Sequence, residues 1–164
     1  MDSSFWINSH RAGLTVHLLE RFQVYYHTDV AGELREEFTS GREFWRLIRD
    51  GTLQEATLVQ TQGAGRERIA AFGPGERAAI NLAIEHPDWI LLMDDRRPFL
   101  EAGRRGIQVL CSPVLVVDLY VKRKLTARQA LEMLARLAAL KTVSPDLLSV
   151  ALAQLGAVLS TRRS

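Results

Sequence analysis

The stretch Trp89-Ile90-Leu91-Leu92-Met93-Asp94-Asp95-Arg96-Arg97 decides how this sequence is read. Its opening apolar run is long enough for a buried strand and too short for a helix. Two carboxylates follow at once, and Arg97 to Arg105 then reads as a helix. A strand that gives way to a helix at an acidic junction puts those acids outside its carboxyl end, where open α/β sheets gather ligands. The same placement recurs elsewhere. Glu33, in Val30-Ala31-Gly32-Glu33-Leu34, comes soon after the apolar run Phe22 to Tyr26. Glu76 opens a helix in Gly73-Pro74-Gly75-Glu76-Arg77, and Asp2 heads the chain before Ser3 and Ser4. Carboxylates sharing one edge repel one another unless a cation neutralises them or some stay protonated. A divalent metal site is therefore the first expectation and phosphoryl chemistry the second.

Working outward, strands are expected at Phe22–Tyr26, Leu53–Gln60, Trp89–Met93 and Ile107–Cys111. Helices are expected over Ser9–Glu20, from a Thr28 cap to about Phe38, and from a capping box at Ser40-Gly41-Arg42-Glu43 to a stop at Gly51. Further helices are expected over Pro74–His86, Arg97–Arg105, Pro113–Lys124, Ala127–Leu140 behind Thr126, and Pro145–Leu159 behind Ser144. A loop is expected at Gln62–Gly65 and a short helical turn at Arg66–Phe72. Strands alternating with helices indicate the α/β class, with a mostly parallel sheet covered on both faces.

The chain has 164 residues, 47% of them hydrophobic, which fits one domain over residues 1–164 with a sizeable core. Charged residues at 24% argue against wholesale disorder. A net charge of +2 permits nucleic-acid binding without arguing for it. The single cysteine, Cys111, excludes an internal disulfide or a cysteine-based zinc site and reads as a buried strand residue. His10, His17, His27 and His86 lack ligand spacing, and Gly63-Ala64-Gly65 lacks the third glycine of a dinucleotide loop. There is no signal peptide, and no apolar run approaches the roughly 18 residues needed to span a bilayer, so no membrane is expected and a cytoplasmic setting is.

In these motifs the chain resembles PIN-domain proteins, above all the bacterial and archaeal branch with a Gly-Glu helix start and an Asp-Asp pair. Asp2-Ser3-Ser4, followed by Phe5-Trp6-Ile7, resembles the family's Asp-x-Ser, and Val30-Ala31-Gly32-Glu33-Leu34 resembles its Val-x-x-Glu-Leu helix. Gly75-Glu76-Arg77-Ala78-Ala79-Ile80 is similar to its third acidic motif, and Asp94-Asp95-Arg96-Arg97 to its fourth, with Asp95 aligned to the main acid. The resemblance implies a three-layer α/β/α fold around a central, mostly parallel sheet. Only Met1 precedes Asp2, so the first strand of that fold is expected to be truncated.

The resemblance further implies a metal-dependent endoribonuclease, with toxins held by an antitoxin among its relatives. Asp2, Glu33, Glu76 and Asp95 are then the catalytic and metal-holding acids, with Asp94 a group that supports a ligand or an alternate ligand itself. Ser4 would orient a carboxylate or a water, and Arg96 and Arg97 would line an RNA path. Mg²⁺ or Mn²⁺ suits such oxygen donors. RNA, an antitoxin protein and a second copy of the chain are the implied partners. Two other readings stay open: a noncatalytic PIN-like module that binds RNA or protein, and a small-molecule hydrolase on the same acidic edge. Each acid also has a plain structural reading. Glu33 fits a solvated helix face, Glu76 a favourable helix dipole, and Asp94-Asp95 a cap before Arg97.

Overall fold

The computed structural model describes residues 1–59 and 69–161. Among them the elements run α1 (Ser3–Ala12), α2 (Thr15–Arg21), β1 (Val24–Tyr26), α3 (Thr28–Glu33), α4 (Thr39–Arg49) and β2 (Leu53–Glu55). They continue with α5 (Pro74–Glu85), β3 (Leu91–Leu92), α6 (Arg96–Arg104), β4 (Val109–Leu110), α7 (Ser112–Val121), α8 (Ala127–Ala139) and α9 (Pro145–Thr161). The loop expected at Gln62–Gly65 and the start of the turn at Arg66 lie outside the described residues. No described helix is long and apolar enough to cross a membrane.

All described strand pairing is parallel, as expected, but it forms two short ladders instead of one broad sheet: β1 with β2, and β3 with β4. The first two residues lie between them. The Met1 amine donates to the Tyr25 carbonyl at 3.1 Å, and the Asp2 amide donates to the Leu92 carbonyl at 3.0 Å. Met1 and Asp2 thus span the edges of β1 and β3 as the stub of a strand. Side chains alternate across β3: Leu92 joins a large core built on α1, α4 and α7–α9, while Leu91 and Met93 join a smaller core with Ile80 of α5 and Ala102 of α6. Helices therefore cover the β3 strand from both faces.

Several boundaries differ from expectation, each for a local reason. α1 begins at Ser3 and not at Ser9, because the Asp2 carboxylate accepts the Phe5 amide at 3.0 Å and caps the helix there. It stops at Gly13, whose φ of 81° is a left-handed conformation that glycine adopts freely. Thr28 is the first residue of α3 and not its cap; the His27 ring accepts the Asp29 amide instead. α3 ends at Glu33, well short of Phe38. The expected capping box at Ser40 falls inside α4, where Ser40 is buried and Glu43 pairs with Arg46. The strands are shorter than expected, two or three residues each. Gly51 does terminate α4, and Thr126 with Gln129 caps α8 reciprocally.

Candidate metal centre

Each sequence-selected acid is held by a device built into its own stretch of chain. Asp2 is buried before α1; one carboxylate oxygen accepts Phe5 N–H, and the other accepts the Ser4 hydroxyl at 2.5 Å. Ser4 therefore orients the Asp2 carboxylate. Glu33 closes α3 and crosses to α5. Its oxygens accept the Ser3 hydroxyl at 2.5 Å and the Gly75 amide at 3.1 Å. A Cβ at Gly75 would lie 2.7 Å from Glu33 Oε1, so a side chain there would displace that carboxylate. Glu76 folds back within the first turn of α5 and accepts Gly73 N–H at 2.7 Å. Asp95 caps α6 by accepting Arg97 N–H at 3.1 Å, so the plain structural role foreseen for it is real.

Asp94 is the most enclosed of the five, 1% exposed after β3. It accepts Ser112 N–H at 2.7 Å, the Ser112 hydroxyl at 2.6 Å and Asn8 Nδ2 at 2.8 Å. These donors offset the burial that pushes its carboxyl upward. Burial also pushes Asp2 up, to about 7, and the charge of Asp94 adds to this against the Ser4 and Phe5 hydrogen bonds. Glu76 is raised as well, by burial first and then by Asp95 and Glu33, with Arg97 opposing. The electrostatics divide the acids into an inner pair, Asp2 with Asp94, and an outer set of Glu33, Glu76 and Asp95 around the start of α5.

None of these five carboxylates forms an ion pair with a lysine or arginine among the described residues. Carboxylate oxygens that no such ion pair occupies are the donor type that suits Mg²⁺ or Mn²⁺. The spacing is looser than the sequence suggested. Among the described residues, no three His, Cys, Asp or Glu side chains stand close enough to hold one ion. Of the two arginines expected on an RNA path, Arg96 is engaged with Asp146 of α9 at 2.6 Å, and Arg97 lies close enough to Glu76 to influence its charge.

A protein-family model described as PIN domain matches residues 1–157. The chain belongs to the PIN-domain family. No curated protein and no solved structure matches it. PIN domains are commonly nucleases that bind Mg²⁺ or Mn²⁺. The acids of this PIN domain were legible as residue types; apart from Ser4, the polar groups that hold them were not. Ser3, Asn8, Ser112 and Thr142 escaped notice, although Asn8 carries a signal. It interrupts the buried face of α1 formed by Phe5, Ser9 and Ala12, where a polar side chain needs a partner.

Proposed function

We propose that this PIN domain is a metal-dependent endoribonuclease that hydrolyses RNA phosphodiester bonds. The supporting observation is the set of five carboxylates around the start of α1, the end of α3, the start of α5 and the end of β3, held by hydroxyls and amides and ion-paired with no lysine or arginine among the described residues. Asp2, Glu33, Glu76 and Asp95 would hold Mg²⁺ or Mn²⁺, with Asp94 behind Asp2. When bound, the ion would activate a water and stabilise charge on the departing oxygen. The chain's own residues do the rest. Ser3 and Ser4 fix the Glu33 and Asp2 carboxylates, the Gly75 amide keeps Glu33 against α5, and Arg97 offers a cation to substrate phosphate. The same reading takes residues 1–164 as one three-layer α/β/α unit in the cytoplasm, acting as a homodimer on RNA, with an antitoxin protein as a further partner.

A noncatalytic PIN-like module that binds RNA or protein is the second reading. Its support is the looseness of the acids and the structural employment of Asp95 and Glu76 as caps. One experiment separates the two. For the nuclease, RNA is cut only with Mg²⁺ or Mn²⁺, and Glu76→Gln lowers kcat on the order of 100-fold while RNA affinity holds, because metal-borne stabilisation acts in the transition state. RNA that binds, weakens with salt and is never cut across a broad panel with Mn²⁺ would overturn the enzyme reading.

A further inference from the structure

Asn8 lies on α1 with 1% of its surface exposed, and its two amide ends have different tasks. Nδ2 donates to Asp94 Oδ2 at 2.8 Å, while Oδ1 accepts the Thr142 hydroxyl at 2.6 Å. Thr142 belongs to the turn between α8 and α9, 134 residues away in sequence, and is exposed at the surface. An amide is a fork with unlike prongs, a donor and an acceptor. An ionised Asp94 can only accept, so Nδ2 must face it and Oδ1 must face Thr142, whose hydroxyl then donates. With that hydroxyl absent, Oδ1 loses its partner in a buried site, and only the bond to Asp94 holds the fork. A flipped amide would set an acceptor against a carboxylate in a buried site, an arrangement that leaves both groups unsatisfied.

We infer that Asn8 and Thr142 are positioning residues: Thr142 anchors the oxygen end of the Asn8 amide, and the amide's nitrogen end holds the Asp94 carboxylate in place. The chain of contacts runs from a surface turn to the most enclosed acid of the site. Its functional consequence rests on the metal-dependent reading above. Ser112 supplies the other two hydrogen bonds to Asp94 from the start of α7, so the Asn8 bond is the one donor arriving from α1. The arrangement ties α1, α7 and the α8–α9 turn to a single carboxylate.

Thr142→Val keeps the shape of the side chain and removes the donor; Thr142→Ser keeps the donor. Because Thr142 is exposed, neither change disturbs the core. The expected result for Thr142→Val is a loss of about 10- to 100-fold in Mn²⁺ affinity or in kcat, the usual effect of removing such a supporting partner. KM for RNA stays unchanged, and Thr142→Ser behaves as the parent. Mn²⁺ affinity is read by calorimetry, independently of cleavage. The Asn8 side-chain amide is followed by ¹⁵N NMR in metal-free protein, with slow hydrogen exchange in the parent and Thr142→Ser and fast exchange in Thr142→Val. Parent-like Mn²⁺ affinity and kcat in Thr142→Val would overturn the inference, as would identical amide exchange in all three proteins. If the parent itself neither binds Mn²⁺ nor cuts RNA, the proposed function fails. The amide signals then decide the positioning on their own, and the same exchange pattern supports it.

Discussion

Asp2 is the residue under the greatest electrostatic demand. Its carboxyl is pushed from an ordinary 3.8 up to about 7, chiefly by burial. Between those values the folded chain holds a proton that the unfolded chain has released. Its contribution to stability is therefore full below 3.8 and is lost as pH rises towards 7. The Met1 amine acts in a different window. Burial lowers it from 8.0 to about 6, against the charge of Asp2, so its contribution is lost as pH falls through that range. Asp2→Asn retains a good helix cap and removes only the ionisation. Its melting temperature relative to the parent should climb as pH rises from 3.8 to about 7, because the parent alone loses stability there. Thermal melts across that window check it, and a constant difference would mean that Asp2 ionises as an exposed aspartate does. The acids of this site were readable because carboxylates after apolar runs are conspicuous in one dimension. Their supports were not, since Ser3 reaches Glu33 across 30 residues and Asn8 reaches Asp94 across 86.

Among the elements, α4 shows how close packing fixes what spacing leaves open. Trp6 of α1 and Phe44 of α4 are both fully buried, with ring centroids 5.4 Å apart in an edge-to-face arrangement. The Trp6 indole donates to the Ser40 carbonyl at 2.8 Å, so the first turn of α4 is bound to α1. Gly41 sits in that turn, and a Cβ there would overlap the Arg35 carbonyl of the preceding segment. Backbone cannot swing aside as a long side chain can. Gly41→Ala is expected to destabilise the fold by about 1–3 kcal/mol, the range for overpacking a tight site, even though alanine favours helices. A melt of Gly41→Ala as stable as the parent would show that the segment around Arg35 yields. The same contact explains a misplaced cap. Ser40 and Glu43 fit a capping box in sequence, but Phe38 precedes the helix and Ser40 is buried two residues too late to serve. Helix identity was legible for α5 behind Gly73-Pro74 and α8 behind Thr126, but the one helix expected over Ser9–Glu20 is split at Gly13 into α1, which starts at Ser3, and α2. Strand lengths were not legible: in the apolar run Trp89–Met93, Ile90 is exposed and only Leu91 and Leu92 form the strand.

At the scale of the whole molecule, the gap between the two ladders is the feature with the largest consequence. In a parallel ladder each residue turns its amide and carbonyl to the same side, and alternate residues turn opposite ways. Tyr26 faces β2 and receives the Ala56 amide, while Tyr25 faces the gap and receives the Met1 amine. On the other bank, Met93 donates to Leu110 of β4, and Leu92 faces the gap and receives the Asp2 amide. Next to Met1 a cavity of about 220 Å³ continues this line, with Phe22, Val24, Tyr25, Trp89 and Leu92 in its wall. Its lining has the aromatic and aliphatic character of a strand's surroundings. The Tyr25 and Trp89 rings stack there at 4.3 Å. An apolar extension of about four residues joined to Met1 has the length of a short strand and would enter between both edges. It would turn the buried amine into an amide that keeps the bond to Tyr25 and carries no charge. Such a fusion should melt higher than one extended by glycine and serine to the same length, since it buries apolar surface and pairs two edges. It should also increase the Mn²⁺-induced rise in melting temperature, because Asp2 would then sit at the end of a complete strand. Equal melting temperatures for the two fusions would show that the cavity does not accept a strand. A higher melting temperature with an unchanged response to Mn²⁺ would place the gain in the fold alone and separate the architecture of this PIN domain from its metal chemistry.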